Sequence, residues 1–142
     1  MNVMRVYLHD LAWKSDAAGF KKRIGQYLNI ANRHHIKTVF TIFDDCWNPT
    51  AEVGKQPDPK PGIHNSGWVR SPVKSVHDDS TQWTYLESYV KDVLTTFSDD
   101  KRILLWDIFL SKKQIEPALG QAADMLATHP AHCTVPAFLL QQ

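Results

Sequence analysis

The chain has 142 residues, enough for one domain of ordinary size. Hydrophobic residues at 43% and charged residues at 22% give a soluble globular balance, and a net charge of +1 excludes a strong field for nucleic acid or an anionic membrane surface. The two cysteines, Cys46 and Cys133, exclude a disulfide-rich framework, and no apolar run reaches the length of a membrane span.

Residues 3–8 carry β-branched and aromatic side chains and close on His9-Asp10, the pattern of a strand. The chain enters this strand at its second residue without the basic-apolar-small order of a signal peptide, so a missing upstream segment is expected and localisation stays open. Asp16 is placed to cap a helix over 17–34, whose apolar Phe20, Ile24, Tyr27, Leu28 and Ala31 share one face. Residues 37–43 (KTVFTIF) form a second, almost wholly apolar strand. A strand-helix-strand order of this length predicts parallel pairing in a right-handed βαβ unit.

Residues 44–79 are broken by Pro49, Pro57, Pro59, Pro61 and Pro72 and by Gly54, Gly62 and Gly67. A loop this long in a small domain is functional or disordered, and its aromatic residues Trp47 and Trp68 favour order. Ser80 is expected to cap a helix to about Phe97, with Trp83, Leu86, Val90, Val93, Leu94 and Phe97 buried and Glu87 paired with Lys91 outside. After a turn at 98–101 comes a third strand, Ile103 to Trp106. Beyond Asp107 the pattern weakens to a helix over 114–127 and an edge strand over 134–140, demoted by Pro136.

Four stretches, NVMRVYLHD, TVFTIFDDCWNP, KPGIHNSGWVRSP and KRILLWDIF, carry a resemblance. Residues 1–109 resemble the clan of retaining glycoside hydrolases built on (β/α)8 barrels, which includes cellulases, mannanases and β-galactosidases. Asn2 to Arg5 is similar to the clan's N-x-x-R at its second strand. Asp44-Asp45 and Trp47 are similar to the polar cluster ending the third strand. Trp106-Asp107-Ile108-Phe109 is similar to the start of the fourth-strand motif W-D-x-x-N-E-P, whose Glu is the general acid/base. The resemblance implies an α/β fold, a partial TIM barrel of three to four βα units over 1–109, with 110–142 a divergent tail. It also implies hydrolysis of β-glycosidic bonds without a cofactor.

Leu110 and Ser111 stand where the motif's Asn and Glu belong, so the pattern stops short of its catalytic glutamate. Glu116, before Pro117, is the one stand-in within reach, through an insertion that the tight positioning of a catalytic acid disfavours. Retaining hydrolysis needs two carboxyl groups about 5–5.5 Å apart, and the seventh strand that would carry the nucleophile is not in this chain. Catalytic competence is therefore not expected of the isolated chain.

By the resemblance, Arg5 would keep the absent nucleophile ionised; its structural alternative is a pair with Asp44 or Asp107. His9 is either a sugar contact or a hydrogen-bonded structural histidine. Asp44 and Asp45 are adjacent on the chain, so their side chains diverge: one suits a hydrogen bond to sugar or protein, the other a solvated loop start. Trp47 and Trp68 suit stacking on pyranose faces or packing of the loop, and Trp106 suits packing. Asp107 surfaces where the third strand ends. His34-His35 and His129-x-x-His132-Cys133 lack the spacing and support of a zinc site, so no metal is expected. Carbohydrate is the expected partner, and a partial barrel with open sheet edges is expected to self-associate. The alternatives are a non-catalytic carbohydrate-binding remnant and a small α/β interaction domain.

Overall fold

The computed structural model describes residues 1–45 and 48–108. The expectations for Cys46, Trp47, Glu116, the helix over 114–127 and the strand over 134–140 lie outside these residues.

Three short strands, β1 (Val3–Tyr7), β2 (Lys37–Thr41) and β3 (Ile103–Asp107), form one parallel sheet in the order β1-β2-β3. The connections carry helices, as parallel pairing requires. Between β1 and β2 run α1 (Asp10–Ser15) and α2 (Ala17–Arg33); between β2 and β3 run α3 (Lys74–His77), a 3-10 turn (Ser80–Gln82) and α4 (Trp83–Phe97). The protein is an α/β fold. Its register sets Arg5 beside Val39, Tyr7 beside Thr41 and Thr41 beside Asp107, with an irregularity after Thr38.

Helix α2 begins where expected: the Asp16 carboxylate accepts from Gly19 N–H at 2.8 Å. Its stripe Phe20, Ile24, Leu28 and Ala31 is buried. Helix α4 starts later than expected, because Asp79 rather than Ser80 supplies the capping oxygen, accepting from Thr81 N–H at 3.0 Å and holding a 3-10 turn first. Glu87 and Lys91 stay exposed, and no ion pair joins them. Two helices escape the periodicity. Helix α1 is capped by a ring nitrogen of His9, and α3 is a single turn inside the proline-rich loop.

The alternating pleat gives the sheet two different faces. Val6, Phe40, Ile103 and Trp106 face the helices, where Phe40 and Trp106 stack at 5.2 Å within the core formed with α2 and α4. Tyr89 joins this core unforeseen, fully buried, with the rings of Trp13, Phe20 and Phe43 around it. Register and alternation turn Val3, Arg5, Tyr7, Val39, Thr41, Leu105 and Asp107 to the opposite face. Val39 is buried there yet lies outside the helix-side cluster.

Candidate functional site at the strand ends

All three strands run the same way, so their carboxyl ends deliver side chains to one rim. Arg5 reaches across β2 to Asp107, with Nη2 and Oδ2 3.2 Å apart. Asp107, which the third strand brings to the surface, is thus the partner of Arg5, and Asp44 is not.

The segment after β2 leaves the rim and returns to it. Asp44 and Ser71 exchange backbone hydrogen bonds at 2.8 and 2.9 Å, and Asn48 bonds to Trp68 and Arg70 at 3.2 Å each. This return carries Trp68, Arg70 and Ser71 back over the strand ends. Trp68 Nε1 donates to the Asp44 carboxylate, and Arg70 pairs with Asp45. The two adjacent carboxylates therefore diverge, as alternation demands, but neither is an idle loop start. Trp68 also meets Tyr7 edge to face, with centroids 4.9 Å apart at 88°. Tyr7 is 41% exposed and Trp68 37% exposed, so this right-angled aromatic corner opens to solvent.

The loop's return is held from beneath by Asp10, which is completely buried. Ser71 Oγ donates to Asp10 Oδ1 at 2.7 Å and accepts from Asp10 N–H at 3.1 Å; Tyr85 O–H donates to Oδ2 at 2.7 Å. Burial alone would raise the carboxyl's pKa, but the polar groups of His9, Tyr85 and Ser71 around it outweigh burial and hold Asp10 below the usual carboxylate range. Burial, then the hydrogen bond to Asp10 and its charge, push the Tyr85 phenol far above its ordinary value. A carboxylate so held, without solvent access, anchors the loop and is no proton donor for a substrate.

His9 stands at the edge of this network. Its Nδ1 is 3.3 Å from both Leu11 N and Asp10 Oδ1. It accepts from the first or donates to the second, never both at once. Its Nε2 is buried without a partner among the described residues, as are Thr41 Oγ1 and Arg70 Nε. The site thus joins Arg5, Asp107, Asp44, Asp45 and Trp68, with His9 beneath; Trp106 lies in the core.

Tyr7, Asp10, Ser71 and Tyr85 were not anticipated as parts of the site. Tyr7 alone carried a signal, since it lies two residues beyond Arg5 on the same strand face. Among the described residues no group of three or more His, Cys, Asp or Glu side chains could hold a metal ion, and no helix is long and apolar enough to cross a membrane. Comparison with protein families, curated proteins and solved structures finds no match.

Proposed function

We propose that this chain is a piece of a (β/α)8-barrel glycoside hydrolase lineage that binds carbohydrate at its strand ends. The strand order β1-β2-β3 follows the sequence without reversal, and α2 and α4 contribute to one core on one sheet face. A barrel segment winds in this way, as does one half of a doubly wound sheet, and the motifs at the strand ends favour the barrel. The opposite face, with Arg5, Tyr7, Thr41 and Asp107, corresponds to a barrel interior.

The observation that carries the binding role is the exposed corner of Tyr7 and Trp68, with the Trp68 indole fixed by Asp44. A pyranose lays its C–H face on such a ring while carboxylates and guanidinium groups at the rim take its hydroxyls. Asp44, Asp45 and Asp107 are each engaged by a donor side chain, so none is left as a ready catalytic pair. Binding without efficient turnover follows.

The test is titration of the whole chain with soluble cello-, manno- and galacto-oligosaccharides, read by tryptophan fluorescence and calorimetry, beside an aryl-glycoside assay. Saturable binding without turnover is expected, and Trp68→Ala should weaken it by about tenfold, the equivalent of ~1.4 kcal/mol. Turnover that disappears in Glu116→Gln would instead make Glu116 the acid. Absence of both binding and turnover would overturn the carbohydrate role in favour of an interaction domain.

A further inference from the structure

Among the described residues the outer edge of β1 is open, and its register suits one particular occupant. In the ladder with β2, the even-numbered residues of β1 face inward. Lys37 N–H bonds to Asn2 O at 2.9 Å, and Leu8 N–H bonds to Thr41 O at 2.9 Å. The parallel pattern then turns the N–H and C=O groups of Val3, Arg5 and Tyr7 away from β2. Among the described residues nothing pairs with them. This edge has no proline, lysine or bulge of the kind that protects exposed strands.

We infer that β1 pairs with β1 of a second copy, antiparallel about a two-fold axis at Arg5, to make a closed dimer that joins the two three-stranded sheets of the described residues. Centring on Arg5 sets Arg5 opposite its own copy and Val3 opposite Tyr7. These are the positions whose backbone groups point outward, so each pairing closes two N–H···O bonds. The same register puts Val3, 38% exposed, beside Tyr7, 41% exposed, on one sheet face. A β-branched residue opposite an aromatic one is a favourable cross-strand pair.

Two arginines face to face would repel, but each guanidinium is drawn across β2 to its own Asp107 at 3.2 Å, away from the edge. A two-fold contact occupies the β1 edge of each copy, so no third chain can add at β1. The strand-end sites then lie at opposite ends of the assembly. The pairing does not depend on carbohydrate binding.

Sedimentation of the intact chain over a wide concentration range tests the pairing. A reversible monomer-dimer equilibrium is expected. Val3→Lys should weaken it by at least about tenfold, because lysine guards a strand edge, while the circular dichroism spectrum stays unchanged. Val3→Pro should act likewise, since that N–H serves no bond to β2.

Arg5→Cys, with Cys46 and Cys133 replaced by serine, fixes the register. Directly opposed residues in such a pair have Cα atoms about 5.5 Å apart, within disulfide reach, so mild oxidation should give a covalent dimer. A chain that stays monomeric, forms open-ended aggregates, or dimerises indifferently to Val3→Lys without cross-linking at residue 5 would overturn the pairing.

Discussion

Asp10→Ala probes the anchor beneath the site. The substitution removes the acceptor of two short hydrogen bonds, from Ser71 Oγ and from Tyr85 O–H, each 2.7 Å. Hydrogen bonds to a charged group contribute roughly 1.5–3 kcal/mol each, which puts an upper bound near 6 kcal/mol on the pair. They share one carboxylate and do not add fully. Removing the charge also removes its burial cost, so the loss should fall near 3 kcal/mol, within the range for disrupting a buried charge network.

The pH dependence carries the sign. The folded pKa of Asp10 lies below its unfolded value, so its stabilisation is complete above the unfolded pKa, about 3.9. It fades as the pH falls through the folded value. Urea unfolding followed by far-UV circular dichroism, with wild type, Asp10→Ala and Asp10→Asn compared from pH 7 to pH 3, measures both effects. The advantage of wild type over Asp10→Asn should hold above about pH 5 and shrink below about pH 4. A loss under about 1 kcal/mol for Asp10→Ala, or a gap to Asp10→Asn unchanged down to pH 3, would refute the assignment of Asp10 as an ionised anchor.

The other sites give contrasting expectations. Phe40→Ala should cost about 3–5 kcal/mol in the same unfolding assay, because Phe40 is fully buried and stacked on Trp106. Arg5→Ala should cost under about 1 kcal/mol, because its pair with Asp107 is largely exposed on the arginine side. Gly19→Ala should lower stability despite alanine's better helix propensity, since a Cβ there would stand 1.9 Å from Oδ2 of Asp16 and push aside the carboxylate whose Oδ1 caps the helix. Asp16→Asn should retain the cap that Asp16→Ala loses, read by thermal unfolding.

Local patterning determined most of the scaffold. The stripe Phe20, Ile24, Leu28 and Ala31 dictates one buried helix face, and the run TVFT dictates a strand buried on both sides. These signals are short-range, because helix and strand periods are set within a few residues. Where a local signal was too short or unusual it failed. Six residues capped by a histidine ring became α1, and four residues after a proline-rich stretch became α3.

The site was legible only as a set of residues. Arg5, His9, Asp44, Asp45, Trp68 and Asp107 could be singled out from the chain, whereas their pairing depends on which strand lies beside which. Arg5 joins Asp107 because the register turns both to one sheet face on either side of β2, while the Asp44 carboxylate takes the Trp68 indole. Trp68 becomes an open corner because the loop returns through the Asp44–Ser71 bonds and sets the indole against Tyr7. Asp10 gave no sign of its burial, since its donors Ser71 and Tyr85 lie 61 and 75 residues away. The sequence by itself determined the helix faces, the strand runs and the residues fit for chemistry. Only the tertiary structure decided which of them meet, because those contacts depend on how distant segments of the chain come together.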